Sequence, residues 1–135
     1  MSIRAFRTGF QTTDTGADVI TLYSDGACTL NQFTTMKRNG AAYQVTAGKT
    51  LYIGKLILSA NGANAGAQFV YGDNAVANSA SAPTNSVTIS APILNATANV
   101  AVAYDVSFII PATKYMTYIA CVASGPFLTM FGIEI

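Results

Sequence analysis

Apolar and polar residues alternate along most of the chain, and the 3.6-residue spacing of an amphipathic helix is nearly absent. The alternation and the β-branched content predict strands over residues 18–24, 28–36, 42–45, 50–60, 67–71, 86–93, 100–110, 116–123 and 127–135. Turn-forming residues separate them: Ser24-Asp25-Gly26, Asn39-Gly40, Ala47-Gly48-Lys49, Asn61-Gly62, Gly72-Asp73-Asn74, Pro111 and Gly125-Pro126. Short strands broken at this spacing predict an all-β sandwich or barrel. Residues 61–66 and 74–85 are built mostly of Ala, Asn, Ser, Gly and Thr, and they read as loops with little side-chain anchoring.

Two stretches correspond without a gap. Residues 43–59 align with residues 108–124, sharing Ala47/Ala112, Lys49/Lys114 and Ser59/Ser124, with Ile53 opposite Tyr118. An aromatic strand follows each, Phe69-Val70-Tyr71-Gly72 in the first half and Thr129-Met130-Phe131-Gly132 in the second. Two halves of this kind are expected of a jelly roll, which consists of two Greek keys.

Strict alternation also assigns faces. In the strand over 50–60 it sets Leu51, Ile53 and Ile57 on one side and Tyr52, Leu56 and Leu58 on the other. In the strand over 116–123, Tyr118, Ala120 and Val122 oppose Ile119, Cys121 and Ala123. Both faces are then largely apolar, with Lys55 the clear exception. A sandwich strand with one wet face shows polar residues there. The expected cover is another subunit, with Tyr52, Leu56, Leu58, Ile119 and Cys121 as the interface candidates of a homo-oligomer.

Composition narrows the functions. The 135 residues carry 10% charged side chains, against about 25% in an ordinary soluble domain. So few charges point to a surface partly covered by another protein, or to one wetted by Ser, Thr and Asn. Without a single His, the usual general base and the commonest metal ligand are missing. A net charge of +1 builds no basic field for nucleic acid and no polybasic membrane contact. Neither a signal peptide nor an apolar run of membrane-spanning length is visible, and Cys28 and Cys121 read as free thiols.

No phosphate loop or nucleophile elbow occurs. Asp14, Asp18 and Asp73 fit Asx turns better than a Ca²⁺ site, and Asp73, Asp105 and Glu134 do not assemble into a carboxylate pair. The seven tyrosines suit a glycan-binding face or, better, core and interface packing. Neither an enzyme nor a cofactor is expected. The N-terminal segment alternates cation and aromatic at Arg4, Phe6, Arg7 and Phe10, the pattern of an arm lying over an acidic neighbour. The expected organisation is such an arm over residues 1–16 and one β domain over 17–135.

Residues 43–53, Tyr-Gln-Val-Thr-Ala-Gly-Lys-Thr-Leu-Tyr-Ile, and Ile110-Pro-Ala-Thr-Lys-Tyr115 resemble segments of small tailed-phage virion proteins. The closing Phe131-Gly-Ile-Glu-Ile135 fits the same group, and together the likeness covers about half the chain. These segments look like those of the head decoration, or cement, proteins of some phages. That resemblance implies a jelly-roll homotrimer, assembled in the host cytoplasm and seated on the outer surface of the head. Its partners would be its own copies and the major capsid protein, gripped through the arm. Related jelly rolls occur in trimeric fibre tips, so the alternative is a module that recognises a host glycan or protein.

Overall fold

A computed structural model describes residues 18–60, 62, 64–97 and 99–135. The expected arm, with Arg4, Phe6, Arg7 and Phe10, lies outside the described residues. The described chain is all-β, with no helix among the described residues, in two antiparallel sheets packed in a sandwich-like arrangement. Its strands are β1 (Asp18–Tyr23), β2 (Phe33–Thr35), β3 (Lys37–Arg38), β4 (Ala41–Ala42), β5 (Leu51–Ser59), β6 (Ala65–Gly72), β7 (Val87–Thr88), β8 (Ile93–Asn95), β9 (Ala101–Ile110), β10 (Tyr115–Cys121) and β11 (Phe127–Glu134). The larger sheet runs β4-β3-β1-β11-β5-β9. The smaller runs β2-β10-β6-β7, with β8 also paired to β6.

The inward positions of both sheets make one core. Ile20 and Leu22 of β1, Leu128 and Met130 of β11, and Leu51 and Leu58 of β5 face Ala67 and Phe69 of β6 and Met116, Tyr118 and Ala120 of β10, all fully buried or nearly so. The Phe69 and Phe108 rings meet across the core at 5.3 Å between centroids, tilted by 41°.

Local chemistry explains most element ends. Asn39 (φ 52°) and Gly40 (φ 85°) form the two-residue turn between β3 and β4, a hairpin loop that requires positive φ at both places. The strand expected over 28–36 shrinks to β2, because Thr29–Gln32 turn back on themselves (Gln32 N–H to Thr29 C=O, 3.0 Å) with Asn31 at φ 63°. The strand expected over 86–93 divides into β7 and β8, since Pro92 brings no backbone donor to the ladder. β10 stops at Cys121 because Ala123 N–H closes back on Cys121 C=O at 2.8 Å around Val122 (φ 73°), a strained γ-turn.

The polar segment over 74–85 is well anchored, contrary to its composition. The Asn74 Oδ1 accepts the Thr84 N–H at 2.7 Å, the Asn85 amide donates to Asp73 at 2.7 Å, and Lys114 pairs with Asp73. Val76 and Ser79 bond the outer edge of β2, and Pro83 seats over Gly72. Side-chain amides supply the fixing that the lack of apolar residues seemed to deny.

The internal correspondence has a structural meaning. The matched long strands β5 and β10 lie in opposite sheets, and the matched aromatic strands complete the exchange: β5 pairs with β11, and β10 pairs with β6. The two matched turns touch, through Val45 N–H to Lys114 C=O (2.9 Å) and Thr113 N–H to Val45 C=O (2.8 Å).

Candidate functional site

The feature that stands out lies on the outer face of the larger sheet, and it begins with an irregularity in β5. Ile53 lies opposite Gly132 and Lys55 opposite Phe131, so Gly54 is an extra residue relative to β11. Against β9 the register also shifts here, in the opposite sense, with Val106 and Ser107 together facing Gly54. A bulge of this kind inverts the alternation beyond it. Before it, Leu51 and Ile53 point inward; after it, Leu56 and Leu58 do, and all four are 0–1% exposed. Tyr52, Lys55 and Ile57 therefore share the outer face.

This corrects the face assignment made from strict alternation. Leu56 and Leu58 belong to the core of their own chain and are not interface residues. Tyr52 is on the surface, 42% exposed. Ile119 and Cys121 are half-buried on the outer side of the other sheet, opposite Gln68 and Gly66, so they do not join Tyr52 in one patch. The doubly apolar strand that implied a covering subunit is a one-faced strand with a kink. Both cysteines are free; Cys28 is buried, its thiol donating to the Gln32 carbonyl at 3.0 Å.

The outer face still carries an apolar row. Val19 of β1 lies opposite Ile133 of β11, Ile133 opposite Tyr52 of β5, and Tyr52 opposite Ile109 of β9. These four are 77%, 45%, 42% and 55% exposed, an uninterrupted line across four strands. The next row is Thr21, Phe131, Lys55 and Asp105, with the last two ion-paired at 3.2 Å. Tyr52, Gly54, Lys55, Phe131, Gly132 and Ile133 line a shallow groove at the bulge. Scattered surface apolar residues are ordinary; a contiguous line of them is the feature that makes this face the candidate site.

The end of this face is held rigidly. The Glu134 carboxylate, 1% exposed, accepts the Tyr43 hydroxyl and, at 2.9 Å, the Thr46 N–H. Burial pushes the Glu134 carboxyl up, but the bonds from Tyr43 and Thr46 and the nearby Lys49 outweigh it and hold it below its ordinary value. Burial, reinforced by the bond to Glu134, pushes the Tyr43 hydroxyl up to about 12. Lys49 also pairs with Asp18 at 3.2 Å, beside Val19, and Thr50 and Ile135 exchange backbone bonds at 2.9 and 3.0 Å. The β4–β5 connection is thus clamped to the end of β11 at the row.

A second concavity of about 240 Å³ lies between β2–β3 and residues 75–78. Lys37 and Asp25 pair on its rim at 2.8 Å, and the bond from Lys37 followed by that from the Ala27 N–H holds the Asp25 carboxyl below its ordinary value. Its hydroxyls are occupied: Thr34 accepts the Asn78 N–H, and Thr35 accepts the Val76 N–H and bonds Thr117.

Of the acids weighed for Ca²⁺, Asp14 lies outside the described residues, Asp18 pairs with Lys49 and Asp73 with Lys114. Among the described residues no three His, Cys, Asp or Glu side chains gather as a metal site. Among them too, no helix is long and apolar enough to cross a membrane. Sequence reasoning singled out Tyr52 and missed Val19, Ile109 and Ile133, which lie 33, 57 and 81 positions from it along the chain. No protein-family model, no curated protein and no solved structure matches this chain.

Proposed function

We propose that this chain is a structural virion protein, a jelly-roll decoration or cement protein that binds the assembled head shell of a tailed phage through the outer face of its larger sheet. The strand order supports the jelly-roll part. Four strands, β1-β11-β5-β9, face four others, β2-β10-β6-β7, and the chain changes sheet at β1–β2, β2–β3, β5–β6, β8–β9, β9–β10 and β10–β11. That wiring suits two interlocked Greek keys. The motif resemblance at residues 43–53, 110–115 and 131–135 supports the virion part.

The observation that carries the binding surface is the exposed row Val19, Ile133, Tyr52 and Ile109. Around it the charges cancel in pairs, Lys55 with Asp105 and Lys49 with Asp18, so the face suits an uncharged protein surface. Binding only the assembled shell stabilises that state by mass action. Many identical copies make a weak individual contact effective.

Co-sedimentation with purified head shells tests the reading. Saturable binding by the native chain is expected, with loss of most of it in the Tyr52→Asp, Ile133→Asp double variant. Those positions are exposed, so the variant keeps the native circular dichroism spectrum. Failure of the native chain to sediment with shells, together with saturable binding to a host glycan, would replace this reading by the fibre-tip alternative.

A further inference from the structure

The two sheets have four lateral edges, and three of them are protected. At one end of the larger sheet β4 is two residues long. In the smaller sheet, β2 is capped by backbone bonds to Val76 and Ser79 (Thr35 N–H to Val76 C=O, 2.9 Å; Phe33 N–H to Ser79 C=O, 2.7 Å). At its other edge β7 and β8 have two and three residues. Short or covered edges are how β proteins avoid pairing with other chains.

The fourth edge is β9, which is neither short nor covered; its one irregularity is a register shift where Val106 and Ser107 together oppose Gly54, and its inward and outward positions alternate through it. Among the described residues it is the longest strand, ten residues, and β5 is its single neighbour. Among the described residues, no backbone hydrogen bond joins it to anything but β5. In an antiparallel ladder alternate residues turn both backbone groups to one side, so on either side of the shift at Val106 and Ser107 about half of the β9 residues offer theirs outward. The strand contains no Pro, Gly, Lys or Arg, and Asp105 is its one charge. The core is also less closed here. Tyr104 and Val106 point inward yet are half-buried, whereas Leu56 beside them is 0% exposed.

We propose that β9 is a self-pairing edge: two copies join their β9 strands antiparallel about a twofold axis at Val106, so that the larger sheet of one continues into that of the other. The register follows from the strand itself. Residues directly opposite in a ladder share a face, so core-facing even positions must meet even positions. An axis at Asp105 satisfies this but opposes Asp105 to its own image, which is unfavourable. An axis at Val106 brings Val102 to Ile110 and Tyr104 to Phe108 of the second copy on the core side. On the outer side it brings Ala103 to Ile109, and Asp105 to Ser107. Apolar residues meet apolar ones, and each Asp105 faces a hydroxyl. The edge meets the apolar row at Ile109, the row's last residue, but the pairing does not rest on shell binding.

The test is the native mass by light scattering on a size-exclusion column, for the native chain and two variants at exposed Ser107. The native chain is expected at twice 14.1 kDa. Ser107→Asp places two like-charge pairs across the axis and raises the dissociation constant between twofold and about thirtyfold. Ser107→Lys places two opposite-charge pairs there and lowers it by a similar factor. Ser107 does not face the core, so both variants keep the native circular dichroism spectrum. A monomeric native chain overturns the pairing. So does a mass of three times 14.1 kDa, the trimer implied by the family resemblance, or a dimer that responds alike to both variants. None of these results bears on co-sedimentation with shells.

Discussion

The bulge at Gly54 makes a prediction that strict alternation contradicts. Alternation from Leu51 puts Ile57 inside and Leu56 outside; the structure puts Leu56 inside, 0% exposed, and leaves Ile57 half-buried on the outer face. Leu56 lies between Met130 of β11 and Tyr104 of β9, both directed at the core. Truncating a buried Leu loses its transfer free energy and leaves a cavity, for a total of about 2–5 kcal/mol. Removing the same three carbons from the half-buried Ile57 at the surface leaves no closed cavity, and about 1 kcal/mol is expected. A domain of this size has roughly 5–15 kcal/mol in all. With an m-value of about 2 kcal/mol per molar urea, Leu56→Ala lowers the unfolding midpoint by about 1–2.5 M and Ile57→Ala by about 0.5 M. Equilibrium urea unfolding followed by far-ultraviolet circular dichroism measures both. If Ile57→Ala is the more damaging of the two, the bulge and everything built on the outward row are wrong.

Three further outcomes follow from the same geometry. A Cβ on Gly132 would lie 2.1 Å from the Tyr52 carbonyl oxygen, so Gly132→Ala forces β11 away from β5; a loss of about 1–3 kcal/mol is expected by thermal melting, and an unchanged melting temperature would sink this account of the bulge. Tyr43→Phe removes one of the donors to the buried Glu134 carboxylate, costing about 1.5–3 kcal/mol at pH 7. The folded Glu134 carboxyl titrates below its ordinary value of 4.5, so its contribution is full above 4.5 and fades as pH falls through the lower folded value. The difference between native and Tyr43→Phe urea midpoints should accordingly narrow in acid. Tyr43 runs the other way: its hydroxyl holds the proton up to about 12 against an ordinary 10, so stability is lost as pH rises from 10 through 12, and the Phe variant should lack that alkaline loss. The Lys55–Asp105 pair is exposed on both sides, and Asp105→Asn should change the melting free energy by under about 0.5 kcal/mol.

Taken alone, the sequence determined what depends on neighbours along the chain. Alternation located β1, β5, β6, β9, β10 and β11 to within two residues at either end, because a strand's two faces are written into consecutive positions. Asn39-Gly40 announced its hairpin, because those residues tolerate the positive φ that the turn requires. The absence of His and the balanced charge narrowed the chemistry before any fold was known. Where one-residue events intervened, the reading failed: Asn31 and Pro92 cut short two expected strands, and side-chain amides fixed a loop that looked unanchored. The candidate site was decided by tertiary structure alone. Tyr52 was legible as an unusual residue, but its partners Val19, Ile109 and Ile133 are brought beside it by register between distant strands. The side of the sheet that Leu56 and Leu58 face depends on a single extra residue opposite a close-packed glycine. The side-chain period of a strand is two, so one inserted residue inverts every position after it, and only the partner strand shows where the insertion lies.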